Sequence, residues 1–509
     1  MDEKLLAAAK AAFPDDKPGI TLGGIVHEGA ADPHPVARIP LAMLNRHGLV
    51  AGATGTGKTK TLQLMAEQLS AQGVPVFVAD IKGDVSGIAA DGESSPRVTQ
   101  RATDVGYDWK PASYPVEFLS LTGTLGAQLR ATVSSFGPLL LSKVLDLNET
   151  QTSVLSMVFK YSDDHGLLLL DFSDLRAVLQ HLSGDGADEL KEYGGMSKQT
   201  VGVLLREMVE LEQQGAGAFF GEPEFDLNDL MRTSSDGRGI VSVLELRDVQ
   251  DKPALFSTFM MWMLARLYNT MPEAGDLDKP KLVFFFDEAH LLFDGASKAF
   301  EEQVERVVRL IRSKGVGVYF VTQSPKDVPA DVLGQLGNRV QHALRAFTPD
   351  DEKALRAAAR TFPKTDFYDV PGTLTSLGIG EAFVTVLNEK GAPTPPFAVR
   401  MVPPSSRMGP LTDAEMQRAL SASSQVQEYA KSVDRESARE KLQARAADAS
   451  AAAAESADAN APAPASARAA KEPPSVLLSV LKSPMARTVA GVVTRGIMGA
   501  LLGTPRRRR

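Results

Sequence analysis

No cysteine occurs in the chain. Disulfides, thiolate metal centres and cysteine nucleophiles are therefore excluded, which fits a reducing compartment. No uninterrupted apolar stretch is long enough to span a bilayer. The N-terminus, residues 1 to 18, mixes acids and bases without an apolar block, so it is not a signal peptide. These absences predict a cytoplasmic location. There is no excess of base either: the formal net charge is −8. A protein coated in basic surface is excluded, although a locally basic channel or tail is not. No Asn-Lys-x-Asp string occurs, so guanine specificity has no support.

What is present centres on Gly52-Ala53-Thr54-Gly55-Thr56-Gly57-Lys58-Thr59. An apolar run, Gly48 to Ala51, precedes it, and a helix-like segment from Thr61 to Ser70 follows. Strand, glycine-rich loop and helix with the spacing G-x-x-x-x-G-K-[ST] form a phosphate-binding loop. The glycines let backbone N–H groups turn toward anionic oxygens, and the helix adds its positive end. Lys58 reaches the β- and γ-phosphates, and the Thr59 hydroxyl ligates Mg²⁺. The cradle for ATP is thus Gly52 through Thr59, with Thr61 beside it. The loop says nucleoside triphosphate and leaves open what is done with it.

Val74 to Ala79 reads as a buried strand ending at Asp80, followed by Lys82, Gly83 and Asp84. Loops at the carboxyl ends of parallel strands are where ligands sit, so Asp80 and Asp84 are expected on the nucleotide side. Lys82 would touch phosphate or a neighbouring subunit. After Lys281, Leu282 to Phe286 are five apolar residues without alternation, as in a strand covered on both faces, ending in Asp287-Glu288-Ala289-His290. Asp287 is expected to hold the Mg²⁺ shell and Glu288 to orient the attacking water. Phosphoryl transfer needs mainly positioning and charge neutralisation, which suits this division. A later strand, Val316 to Thr322, ends in Gln323, which is expected to sense the γ-phosphate or hold the water.

Organisation follows from pattern changes. Residues 1–18 are an N-terminal segment, and 19–123 the first part of an α/β core. Helix-period runs dominate 124–233, an insertion of typical domain size. The core resumes over 234–404, with a strand leading from Asn338 to Phe347 and an edge strand or hairpin near Glu381. The lead-in, residues 19 to 47, either packs beside the nucleotide or forms a simple edge hairpin. Thr412-x-x-Glu415 is a capping box opening a helix to about 445, within segment 405–445. Residues 446–473 are an Ala-rich flexible linker. Residues 474–509 carry two amphipathic helices and an Arg tail, suited to packing on the core or another subunit, to a membrane surface, or to a partner or nucleic acid.

Taken together, the phosphate loop, Asp80-x-Lys82-Gly83-Asp84, Asp287-Glu288-Ala289-His290 and the run Arg312-Ser313-Lys314-Gly315-Val316 to Gln323-Ser324-Pro325 resemble the HerA/FtsK superfamily of P-loop ATPases. More narrowly they are similar to its bacterial HerA-like (YjgR-type) group, over roughly residues 20 to 400. The resemblance implies an α/β, RecA-like P-loop NTPase core with a mostly parallel sheet. That core is of the additional-strand, catalytic-glutamate type, here with a helical insertion and a helical C-terminal tail. It also implies a homo-oligomer, a hexameric ring, ATP hydrolysis between subunits and DNA as the translocated polymer. Arg312 or Arg339 would act in trans as an arginine finger; the sequence does not choose between them.

Only about fifty residues precede the phosphate loop, so the family's N-terminal β-barrel is expected to be absent or a stub. The FtsK-type membrane spans and winged-helix reader are expected to be missing as well. The string at Asp287 to His290 does not indicate a superfamily-two helicase, because that group's accompanying motifs are absent. Two functions compete. One is an ATP-driven ring motor on DNA, favoured by Glu288. The other is an ATP-gated oligomeric scaffold recruiting a partner protein or the inner-membrane surface through its tail, favoured slightly by the negative charge.

Overall fold

The computed structural model describes residues 3–294, 298–388, 390–433 and 435–459. Its strands are β1 (Gly19–His27), β2 (Ala30–Pro40), β3 (Gly48–Ala51), β4 (Val76–Asp80), β5 (Val116–Ser120) and β6 (Ala127–Gln128). After the helical segment come β7 (Val241–Glu245), β8 (Leu282–Phe286), β9 (Val316–Thr322), β10 (Asn338–His342), β11 (Glu381–Thr385) and β12 (Phe397–Met401). They form one twelve-stranded sheet in the order β2-β1-β12-β11-β10-β3-β9-β8-β4-β7-β5-β6. From β10 to β6 every pairing is parallel. From β2 to β10 every pairing is antiparallel.

The parallel part is apolar on both faces because helices cover both. Successive side chains of a strand point to opposite faces, and two cores divide accordingly. Phe284, Phe286, Val318 and Phe320 pack on one side with the helix Pro253–Thr270 and the inserted helices. Val283, Phe285, Tyr319 and Val321 pack on the other with Leu62, Met65 and Leu69 of the helix Lys58–Ala71. The helix Lys298–Ile311 lays Phe300, Val304, Val307, Val308 and Ile311 into the first core, as its periodicity predicts.

Between β6 and β7 the longest helices are Glu149–Asp164, Phe172–Ser183 and Lys198–Gln213. The first opens with the expected capping box, Asn148 with Gln151, and the second with Asp171 and Asp174.

Several segments differ from the sequence reading. The strand from Asn338 stops at His342, because the chain turns off the sheet where Leu344 N–H donates to Leu374 O. The segment near Glu381 takes the hairpin alternative and not the edge: β11 pairs antiparallel with β12 and lies between β10 and β12. The edge is the hairpin β1–β2, and β2 closes that end of the sheet. Beyond the Thr412–Glu415 capping box there are three helices, Asp413–Ala422, Ser424–Tyr429 and Ala438–Ala459. Ser423 divides the first two by capping the second through Val426 N. Contacts divide the chain into one compact unit through Arg445 and a second from Ala446, whose described part is helical. The second half of the expected linker and both C-terminal amphipathic helices lie outside the described residues. Among the described residues no helix is long and apolar enough to cross a membrane.

Candidate functional site: a phosphate loop facing paired carboxylates

The sheet order brings the chemistry to one rim. β9 lies between β3, which feeds the phosphate loop, and β8, which ends at Asp287. Gln323 therefore leaves the sheet between the loop and the two carboxylates. Neighbouring strands are about 4.8 Å apart, so β3 and β8 lie about 10 Å apart, a distance a triphosphate can bridge.

The loop conformation requires glycine where φ is positive, at Gly55 (76°) and Gly57 (117°). A Cβ on Gly57 would also lie 3.3 Å from Gly380 N and Cα. Gly52 N–H donates to Thr322 O (3.2 Å), Ala53 N–H to Ala343 O (2.9 Å), and Gly380 N–H to Thr56 O (2.8 Å). The loop is thus tied to the ends of β9 and β10 and to the turn before β11. The Thr56 hydroxyl donates to Ala53 O (2.7 Å), and Lys58 Nζ folds back to the same carbonyl at 3.3 Å. Burial lowers the Lys58 pKa, and the charges of Glu288 and Asp287 oppose that shift. Thr59 follows at the first turn of the helix, half-buried.

Thr61 is engaged differently from the expectation. Its hydroxyl lies 2.9 Å from His342 Nε2, while His342 Nδ1 lies 2.9 Å from Glu381 O. Burial holds the His342 pKa down to about 4, so the ring is neutral. Nδ1–H must donate to the carbonyl, which leaves Nε2 to accept from Thr61. Thr61 anchors the helix to β10 rather than offering its hydroxyl to a ligand.

Asp80 ends β4 fully buried. Its Oδ1 accepts from Lys82 N–H (3.1 Å) and Gly83 N–H (2.7 Å), and its Oδ2 from Val85 N–H (2.9 Å). It shapes the following loop and carries Asp84 toward Asp287. Ligand oxygens of Asp80, Asp84 and Asp287 all lie within 4.8 Å of one another. Burial first, and Asp84 among its neighbours, raise Asp80 to about 6; burial, Asp80 and Glu288 raise Asp287 to about 7. Asp287 Oδ1 accepts from Glu288 N–H (2.9 Å), but buried Oδ2 has no hydrogen-bond partner, and neither has Asp84 Oδ1. Bare hard oxygens in a buried acidic cluster fit a divalent cation such as Mg²⁺.

Glu288 has φ of 48°, rare outside glycine. Lys82 Nζ pairs with its Oε1, and His290 Nδ1 lies 3.3 Å from Oε2. Burial pushes the Glu288 pKa up, but the Lys82 hydrogen bond and charge outweigh it, leaving it below the ordinary carboxylate value. Gln323 is exposed, on the wall of a cleft of about 1060 Å³ shared with Ala53, Thr54, His290 and Arg345.

The two candidate arginines separate clearly. Arg339 is committed within its own chain: its guanidinium donates to Leu336 O, Thr361 O and Leu333 O at 3.3–3.4 Å. Arg312 is exposed at the opposite rim, before β9 begins. Burial first, and then the Arg46 charge, lower its pKa, and Asp276 opposes this. Among the described residues Arg46 pairs only with Asp276 Oδ1, at 4.0 Å. Sequence reading missed Arg46, Lys82 as the partner of Glu288, and His342. No local spacing points to the Lys82 or His342 contacts, because their partners lie far away in sequence.

The family described as "Helicase HerA-like C-terminal" matches residues 27–509. A probable helicase of Methanocaldococcus jannaschii is 21% identical over 347 residues, 67% of this chain and 60% of that protein. The DNA double-strand break repair helicase HerA of Sulfolobus acidocaldarius is 21% identical over 349 residues, 68% and 63% of the two chains. The chain spans about 60% of the length of these curated relatives. Among solved structures, the bacterial conjugative coupling protein TrwB, lacking its first 70 residues, superposes with a TM-score of 0.50 at 14% identity. The match covers 79% of this chain and 100% of that one. TrwB in complex with ADP and Mg²⁺ also scores 0.50 at 15% identity, covering 76% and 95%. These likenesses agree with the α/β P-loop fold derived from the strands, and with the family match they lead to one conclusion: the chain belongs to the HerA-like helicase C-terminal family.

Proposed function

We propose that this protein is an ATP-hydrolysing motor that works as a homo-oligomeric, hexameric ring in the cytoplasm and translocates DNA. The observation that carries the reading is the convergence of the phosphate loop, Gln323 and the Asp287–Glu288 pair on one rim, across the intervening strand β9. The loop of residues 52 to 59 cradles the triphosphate with Lys58, through backbone N–H groups other than those of Gly52 and Ala53, which bond to Thr322 O and Ala343 O. Thr59 and Asp287 would hold Mg²⁺, which when bound supplies charge neutralisation at the phosphates. Glu288 orients the attacking water, and Gln323 stands where the γ-phosphate would be sensed. Arg312, with Arg46 beside it, is the better trans finger, because two adjacent guanidiniums with one distant carboxylate are poised for an anion from outside their own subunit. DNA as the polymer is supported by the relatives' helicase names.

The test is ATP turnover at low salt with and without single- and double-stranded DNA, alongside native mass with and without ATP·Mg²⁺. The motor reading expects DNA-stimulated turnover, DNA binding that weakens steeply with salt, and an ATP-dependent ring. Turnover indifferent to any DNA, with no DNA binding, would sink it. The net charge of −8 favours a second reading, an ATP-gated scaffold. That reading expects nucleotide-dependent assembly with little turnover, and altered assembly or membrane association when residues 474–509 are removed.

A further inference from the structure

Glu288 is an enclosed carboxylate, its side chain 5% exposed, and such a group needs a partner. Its two oxygens are treated differently. Oε1 is paired with Lys82 Nζ, whereas Oε2 has no hydrogen-bond partner and only His290 Nδ1 near it, at 3.3 Å. The backbone beneath Lys82 is fixed: Asp80 accepts three N–H groups of its loop, and Gln250 Nε2 donates to Ile81 O at 2.6 Å. Gly83, at φ 75°, packs so closely on Arg247 that a Cβ there would lie 2.3 Å from Arg247 Cδ. Yet the Lys82 side chain is 49% exposed. Its ammonium does not need Glu288 for solvation, so the pair is not forced by burial of the lysine. A fixed Cα with a half-solvated arm is suited to steering another group.

We propose that Lys82 is a positioning residue for hydrolysis: it holds one oxygen of Glu288 so that the other, Oε2, faces the attacking water. Lys82 itself makes no bond to the reacting atoms. The inference rests on the proposed role of Glu288.

The experiment uses the full chain and measures steady-state ATP hydrolysis and equilibrium binding of a fluorescent ATP analogue. Lys82→Ala and the length-conserving Lys82→Met are compared with Lys82→Arg, Glu288→Gln and the wild type. Expected are a fall in kcat of about 10- to 100-fold in Lys82→Ala and Lys82→Met, the scale of a ~1 Å misplacement. The analogue's Kd should stay within about threefold, and Lys82→Arg should recover much of the loss, because its cation still reaches the carboxylate. Retained analogue binding also shows that the variants fold. Unchanged or raised kcat in the Ala and Met variants overturns the proposal. So does a Kd weakened tenfold at unchanged kcat, which would make Lys82 a phosphate ligand. Full turnover in Glu288→Gln overturns the underlying reading; a dead Glu288→Gln beside an unaffected Lys82→Ala overturns only the positioning role.

Discussion

Glu67, on the phosphate-loop helix, fastens that helix to the segment after β12. Its carboxylate accepts from Ser405 N–H (2.7 Å), Ser406 N–H (3.1 Å) and the Ser406 hydroxyl (2.8 Å). Burial nonetheless raises its pKa from the ordinary 4.5 to about 7, the hydrogen bonds opposing only in part. The folded state therefore holds the Glu67 proton more tightly than the unfolded chain does. Its contribution to stability is complete below pH 4.5 and is lost as pH rises through 7. At 1.36 kcal/mol per pH unit the loss is about 3 kcal/mol. Glu67→Gln does not titrate, so the stability difference between wild type and variant should shift by about 3 kcal/mol toward the variant between pH 4.5 and 8. Glu67→Ala should cost roughly 2–6 kcal/mol at pH 5, because two buried N–H groups lose their acceptor at about 1–3 kcal/mol each. Urea unfolding followed by tryptophan fluorescence measures both. Trp109 is a local reporter, since its Nε1–H donates to Pro404 O at 2.8 Å. A wild-type-to-Gln difference that moves by less than 1 kcal/mol over this range would refute the reasoning.

Further predictions concern the loop and the arginines. Arg339→Ala should destabilise the subunit by about 1–3 kcal/mol through lost carbonyl contacts, read as a lower thermal midpoint. Arg312→Ala should leave stability within ~0.5 kcal/mol but cut turnover about 10³-fold. Mixing inactive Arg312→Ala with inactive Glu288→Gln should restore activity, because some interfaces then pair an intact finger with an intact carboxylate; no recovery would mean the finger is not Arg312. Gly57→Ala should weaken binding of a fluorescent ATP analogue at least tenfold. Its Cβ meets Gly380 and its φ of 117° is strained for alanine by about 1–3 kcal/mol.

The parallel core was legible because its signals are local. Unbroken apolar runs such as Leu282–Phe286 mark strands covered on both faces, and the phosphate-loop spacing fixes a strand-loop-helix unit. The face of the helix Lys298–Ile311 and two capping boxes followed from periodicity and cap chemistry. What escaped depends on partners distant in sequence. Thr61 meets His342 across 281 residues, and Lys82 meets Glu288 across 206. No spacing rule encodes such pairs. The end of β10 escaped for the same reason, since Leu374 draws the chain away. Arg312 and Arg339 look alike in sequence; three backbone carbonyls around one guanidinium distinguish them.

β9 has a mechanical consequence. Gln323 follows its last residue, and Arg312 stands just before its first. The strand is fully buried, paired with β8 over residues 316–320 and with β3 over 319–322, and its seven residues span about 20 Å of extended chain. Extended backbone held on two sides has no slack. A push along the axis at one rim would be carried toward the other, so the strand would link the end that bears Gln323 to the end that bears Arg312.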